Sequence, residues 1–317
     1  MSEETRSQSD AHAAILRRHF PRVPLRTLKV MPHPSWGGES DVYLVDGHLI
    51  FRFPRAREAA GSLAVETCLL PQLAERVGLA IPRFEHVALD ERDGLPAVVG
   101  YEAIRGQPLT GALFRQVVTP DRSAADHLAR QLAAFLSVLH GFPLDRALAC
   151  GVGRPQLGPR EQVERQSAAV RSEVFPALAD DERAWLTRLF EAFLGDERHF
   201  QWTPALCHGD LTSDHILFDA DRQEIAGIID FGDVCVGDRA GDFVWSFEYG
   251  DDLFDRVLAH YSPSIADPRA FGHVVAFRYG LMPTVEIAYG LETGNRAYVE
   301  EGRRELRARM EGANLTP

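Results

Sequence analysis

Thirteen consecutive residues set the first constraint on this chain. From Asp41 to Phe53 the sequence DVYLVDGHLIFRF alternates apolar and polar side chains on both sides of Asp46-Gly47. A two-residue period buries one face of a strand and cannot bury one face of a helix. Asp-Gly tolerates the positive φ angles of a two-residue turn, so the segment is predicted as an antiparallel hairpin.

The flanking segments extend this reading. Leu25 to Met31, Phe84 to Leu89 and Ala97 to Ile104 carry strand signals, and Ala11 to Phe20 reads as a short helix. Arg57 to Glu75 has helical periodicity, with Leu63, Leu70 and Leu73 on one face and Glu66 in the middle. Between the first strand and the hairpin, HPSWGGES is a loop of small and turn-forming residues, open to phosphate cradling or to an ordinary connection. After Gly106-Gln107-Pro108 the period changes. Leu128, Leu132, Phe135, Leu136 and Leu139, and then Trp185, Leu186, Leu189, Phe190 and Phe193, recur at helical spacing, as core-facing helices require. Ile216 to Phe218 and Glu224 to Asp230 read as two short strands within this helical half. The expected fold class is α+β: residues 1–105 form an antiparallel sheet with one long helix, and residues 106–317 form a mainly helical part. The GVGRPQLGP loop lacks a third glycine in register and a preceding strand, which argues against a dinucleotide fingerprint.

With 317 residues, 45% hydrophobic and 25% charged, the chain suits one elaborate domain or two packed lobes. Thirty-four bases against 46 acids give a net charge of −12, the wrong sign for a surface that neutralises nucleic-acid phosphates. Residues 1–105 hold 14 acids and 13 bases, so the remainder holds 32 acids and 21 bases, and nearly all the excess is in the second part. Lys29 is the one lysine. The four cysteines form no CxxC pair and no signal-peptide pattern opens the chain, so reduced thiols and a cytoplasmic protein are expected. Apolar runs fall short of the roughly 20 residues of a membrane span, so no membrane partner is expected.

The segment richest in chemistry runs from Cys207 to Asp242, CHGDLTSDHILFDADRQEIAGIIDFGDVCVGDRAGD. Asp210, His215 and Asp230 bracket the two short strands, and a strand pair can bring such residues to one end. Two carboxylates and an imidazole there suit a hard divalent cation and a base. Phosphoryl transfer needs these parts plus a cation on the nucleotide.

The HGDxxxxH…IDFGD pattern, together with FRFP in the third strand, resembles the small-molecule branch of the protein-kinase-like superfamily, the aminoglycoside phosphotransferases, and within it the 2''-phosphotransferases. The resemblance spans nearly the whole chain. It implies a bilobal protein-kinase-like fold and transfer of the γ-phosphate of ATP or GTP, with Mg2+, to a hydroxyl of an aminoglycoside, giving resistance by modification. Asp210 matches the catalytic Asp that orients the acceptor hydroxyl and takes its proton. His215 and Asp230 match the metal-binding positions. Arg52 falls where the phosphate-contacting Lys is usual, and Glu66 where its helix partner is. Gly38 and Ser40 match the nucleotide loop, and Tyr101, Glu102 and Ile104 the linker that holds the nucleobase. The His of HGD, His208, is usually a structural residue of the loop; Asp242 is expected to bond backbone amides.

Two departures matter. Nitrogen at His215 is a softer ligand than the usual amide oxygen, and Arg52 replaces a point charge by a planar fork. Both keep a nucleotide-binding pseudokinase open as an alternative. Substrate contacts are expected from Asp210, Asp233, Glu248, Asp251 and Asp252, and from Glu286, Tyr289 and Glu292 on the C-terminal helices; for the acids the bland reading is a solvated helix start, and for the tyrosines packing. Acidic residues after the catalytic loops favour a cationic small molecule. A macrolide or a small hydroxylated metabolite is the alternative acceptor. No GNH element accompanies Asp10-Ala-His12 and no GxSxG is present, which disfavours hydrolases. A monomer or weak dimer is expected.

Overall fold

A computed structural model describes residues 3–31, 39–119 and 122–312, with side chains at all of these except 3–6, 122 and 251. In chain order the elements are α1 (Glu3–His19), β1 (Leu28–Val30), β2 (Ser40–Val45), β3 (Leu49–Pro54), α2 (Arg57–Ala74), β4 (His86–Leu89) and β5 (Pro96–Glu102). There follow β6 (Gln107–Pro108), α3 (Gly111–Val118), α4 (Arg122–His140), α5 (Leu144–Ala149), α6 (Pro159–Ala169) and α7 (Asp180–Leu194). The remainder is β7 (Ala205–Cys207), β8 (Ile216–Asp219), β9 (Glu224–Ile228), β10 (Cys235–Gly237), α8 (Asp251–His260), α9 (Pro268–Glu292) and α10 (Arg296–Glu311). The predicted elements are all present, α1 being longer than expected because its first turns are polar and carry no apolar period.

The chain separates into two compact units, neither continuous in sequence. The first comprises residues 1–110, 145–152 and 214–234; the second comprises 111–144, 153–213 and 235–317. The strand pair β8–β9, with Asp230, thus belongs to the first unit.

In the first unit a five-stranded antiparallel sheet has the order β1-β2-β3-β5-β4. Asp46 and Gly47 occupy the hairpin tip with φ of 50° and 75°, the left-handed pair that a type I′ turn needs. Asp46 also accepts the backbone N–H groups of Arg26 and Thr27 at 2.8 and 2.7 Å, which anchors the chain entering β1. Alternation then sorts β3. Phe51 and Phe53 point to one face, where they are buried with Tyr43, Val45, Ala88, Val98 and Leu16 of α1. Arg52, between them, points to the other, on which α2 packs with Leu63, Leu69, Leu70 and Leu73 fully buried. Each such leucine contributes about 1.5–3 kcal/mol, enough to hold the phase of α2 and with it the direction of Glu66. A second, small sheet, β6-β8-β9, completes the unit.

One expectation is overturned here. Cys68 of α2 and Cys150, just after α5, form a disulfide across 82 residues of chain, so these two are not reduced thiols; Cys207 and Cys235 are free. Spacing gave no hint because the fold brings the residue after α5 to α2 from 82 residues away in the chain.

The second unit is helical around a two-stranded ladder, β7-β10, in which Cys207 pairs with Cys235. Leu128, Leu132, Phe135, Leu136 and Leu139 of α4 and Leu186, Phe190 and Phe193 of α7 are buried, along the stripes read in the sequence. A 3-10 stretch, Arg239–Tyr249, follows β10 and is capped by the Asp238 carboxylate on Ala240 N–H. Asp251 and Asp252 open α8. Among the described residues no helix is long and apolar enough to cross a membrane.

Candidate active site

The first unit gathers the charged groups around Arg52. Its Nη1 donates to both Glu66 oxygens, at 3.0 and 2.9 Å. Its Nη2 lies 3.9 Å from Asp230 Oδ1, and His215 Nε2 lies 3.5 Å from Asp230 Oδ2. The Ile229 N–H donates to the His215 carbonyl at 3.0 Å, so the β8–β9 pairing itself seats His215 beside Asp230. Burial pushes the Glu66 carboxyl up to about 7, opposed by the Arg52 guanidinium; burial also opposes the charge on Arg52, but Glu66 and Asp230 hold it firmly protonated. Tyr101 faces the same side of the sheet as Arg52, since Ile50 pairs with Tyr101 and Arg52 with Val99, and burial pushes its phenol up to about 12.

Asp230 adopts φ of 66°, a conformation that a non-glycine residue holds only where its surroundings impose it. Around it the carboxylates crowd. Glu39 is raised by burial and then by Asp233 and Asp230, and Asp233 is raised by burial and then by Asp230. Glu39, Glu66 and Asp230 thus act on one guanidinium, with Asp233 beside Asp230 and His215, and such an excess of carboxylates fits a hard divalent cation, with Asp230 and His215 as the residues able to hold it. Ser40 is buried, with its hydroxyl making no hydrogen bond among the described residues. Glu102 is exposed at the end of β5, and the side chain of Ile104 lies against Gly227 of β9. Gly38 falls outside the described residues.

The second unit presents Asp210. β7 ends at Cys207, the backbone turns at Gly209 with φ of 89°, and Asp210 follows, exposed. Only glycine adopts that φ without strain. His208 is wholly buried, as a structural residue of the loop should be. The loop is gripped by Asp242, whose Oδ2 accepts from His208 N–H at 2.6 Å and whose Oδ1 accepts from Gly209 N–H at 3.0 Å. The ligating atoms of His140, Cys207 and Asp242 lie within 4.8 Å of one another. Asp242, however, already accepts three N–H donors, and burial holds the Cys207 thiol protonated, so the cluster is a hydrogen-bond network.

A second acidic group lies on α9 and α10. Glu286 is 8% exposed and has no hydrogen bond among the described residues. Burial first, then Glu305 and Glu301, push its carboxyl up to about 7, with Arg304 opposing. Glu305 also acts on Tyr279, as does Glu248; Glu301 is itself paired with Arg304, and Glu305 with Arg309. Tyr289 stands edge-on to Tyr298 at 5.3 Å. Glu292 is exposed at the end of α9. Asp252 is engaged by Arg256 on its own helix, and the side chain of Asp251 is outside the described ones. Sequence reading missed His140, Tyr261, Glu301 and Glu305. The two glutamates lie in a charge-rich helix whose buried side only the helix phase reveals, and the other two are tens of residues from anything they serve.

A sheet-borne arginine paired with a helix glutamate, a metal-suited aspartate behind a strand pair and an exposed aspartate on a tight loop are the parts of a kinase-type phosphotransferase. The sequence profile of the phosphotransferase enzyme family, APH, matches residues 32–271, and the chain belongs to that family. It is a phosphotransferase with an alcohol group as acceptor, of α+β, protein-kinase-like fold. The GDP and kanamycin complex of APH(2")-IIIa is 29% identical, with a TM-score of 0.85, covering 96% of this chain and 99% of that one. The apoenzyme of macrolide 2'-phosphotransferase MphH from Brachybacterium faecium is 22% identical, with a TM-score of 0.67, covering 92% and 96%, and shares the fold. The uncharacterized protein YcbJ of Bacillus subtilis (strain 168) is 24% identical over 272 residues, 84% of this chain and 83% of its own.

Proposed function

We propose that this enzyme transfers the γ-phosphate of GTP or ATP to a hydroxyl of a polycationic acceptor of the aminoglycoside class, with magnesium, and thereby disarms an antibiotic. The observation that carries the acceptor class is Glu286: a buried carboxylate without a hydrogen bond, facing Glu301 and Glu305. Such a group is costly to ionise alone and is matched by an ammonium. A macrolide, with one amine on a largely apolar body, is the poorer match to such a site.

In the reaction Asp210 accepts a hydrogen bond from the acceptor hydroxyl, aims its oxygen and receives its proton as the bond to phosphorus forms. Arg52 keeps one nitrogen on Glu66 and offers the rest of its fork to phosphate oxygens, which a lysine cannot do. Asp230 and His215 would hold magnesium, which when bound neutralises phosphate charge. Tyr101, Glu102 and Ile104 line the end of β5 for the nucleobase, and Ser40 the phosphate side. Glu248 and Glu286 bind ammonium groups, and Tyr289 offers a ring face to a sugar. An intact Arg52–Glu66 pair beside Asp230 weighs against a pseudokinase.

The test is nucleotide turnover by the purified protein with GTP and ATP against aminoglycosides, macrolides and simple sugar alcohols, with mass spectrometry of the product. Phosphorylated aminoglycoside is expected, lost in Asp210→Asn with nucleotide affinity retained. Turnover on macrolides alone would overturn the acceptor assignment.

A further inference from the structure

The arginines of α10 are seated in two ways. Arg303 and Arg307 both hold the wholly buried Glu182 of α7, at 2.9 and 2.8 Å. Gly302 lies so close to α9 that a Cβ there would come 2.9 Å from the Pro283 carbonyl oxygen and 2.7 Å from the Ile287 side chain. The backbone of α10 is therefore fixed by α7 and by α9. Arg309, two turns beyond Gly302, lies over α9 differently: its guanidinium carbon is 3.9 Å from the centre of the Tyr279 ring, and that ring stacks with Phe247 at 5.3 Å.

Little holds that guanidinium. Its ion pair with Glu305 is 3.4 Å long, and its Nε is buried without a hydrogen-bond partner among the described residues. A cation in the last turn of a helix suits the helix dipole, but a solvated arginine would serve equally and keep all its N–H donors in water. Arg309 is instead only 15% exposed, with a donor left unmade, which is unfavourable. Its effect there is electrostatic. Glu248 and Glu305 both act on Tyr279 beneath it, and Glu305 acts on the buried Glu286, so the guanidinium brings positive charge to carboxylates that lack it.

We propose that Arg309 determines acceptor specificity as a built-in competitor: in the free enzyme its guanidinium occupies a position that an ammonium group of the acceptor takes on binding. The inference rests on the reading of Glu248 and Glu286 as ammonium-binding groups. The seat suits such an exchange. A ring face and a carboxylate receive an ammonium as they receive a guanidinium, the stranded Nε regains water when the side chain leaves, and α10 need not move. An acceptor with a hydroxyl at that position leaves Arg309 seated; one with an ammonium replaces it.

The test uses the full chain, with its preferred nucleotide and a series of aminoglycosides graded by their number of ammonium groups. Arg309→Met keeps an apolar stem on Tyr279 and removes the charge. Its KM for the most highly charged acceptors should fall about tenfold, because no competitor must leave, and should fall less for those with hydroxyls in place of ammonium groups. KM should also rise more steeply with salt, while kcat and the nucleotide KM hold. The urea midpoint should drop, since Glu305 and Glu286 then lack a neighbouring cation. Loss of a merely structural contact would not tighten acceptor binding. If the parent phosphorylates aminoglycosides and a folded Arg309→Met has a parental or higher KM for them, the inference fails and the acceptor reading stands. A parent that phosphorylates no aminoglycoside overturns that reading and the inference with it. If Arg309→Met does not fold, Arg309→Lys decides: an ammonium lacks the planar face that stacks on Tyr279 and should leave more readily, lowering the acceptor KM a few-fold, and a parental or raised KM refutes the competitor role.

Discussion

Glu286→Gln separates the cost of the acidic neighbourhood from its use. In the fold this carboxyl titrates at about 7 instead of its ordinary 4.5. A carboxyl raised by folding leaves stability intact below the unfolded value and erodes it as pH rises toward the folded value. Each pH unit in that window is worth about 1.4 kcal/mol, so the parent should lose about 3 kcal/mol between pH 4.5 and 7 through this group alone. Glutamine has the same shape and no charge to desolvate. Urea unfolding of both proteins at intervals from pH 4 to 8.5 should therefore show near-equal stability at pH 4 and a variant more stable by roughly 3 kcal/mol at pH 8. The same substitution should raise KM for a polycationic acceptor about tenfold or more while KM for nucleotide holds. A stability difference independent of pH, or a variant less stable at pH 8, would refute the account of Glu286 as a strained anion awaiting a cation.

Two further changes probe the first unit. Arg52→Ala strands Glu66, which has no exposed side-chain surface, and should cost about 3–5 kcal/mol of stability together with nucleotide affinity; Arg52→Lys should fold but raise KM for nucleotide, since one ammonium cannot serve Glu66 and a phosphate together. Parental nucleotide binding by a folded Arg52→Ala would remove its assigned role. Cys68→Ser opens a loop closed across 82 residues, worth about 4.5 kcal/mol by chain entropy. Its urea midpoint should fall below that of the oxidised parent, and adding a thiol reductant should bring the parent down to it without moving the variant.

The hairpin, α2, α4 and α7 were legible because their signals are local: side chains two residues apart share a strand face, and those three or four apart share a helix face. Asp210, His215 and Asp230 stood out as candidates because they crowd into one short segment, and the resemblance gave Arg52 and Glu66 the roles proposed for them. Glu301 and Glu305 were not, since EEGRREL reads as a solvated helix until α9 lies against one side of it. The reduced state expected for all four cysteines failed for a related reason: nothing within several residues of Cys68 or Cys150 marks the other.

The sequence by itself therefore determined where strand periods give way to helical ones, and gathered the residues to which the proposed reaction is assigned, because periodicity and motif spacing are properties of neighbouring positions. Tertiary structure decided which charges are paired and which are left facing one another. Arg52 meets Glu66 and Asp230, His140 meets Asp242 from 102 residues away, and Glu286 meets Glu301 and Glu305 because packing sets the rotation of each helix about its axis, and only that rotation brings distant side chains into the low-dielectric contact where their charges act.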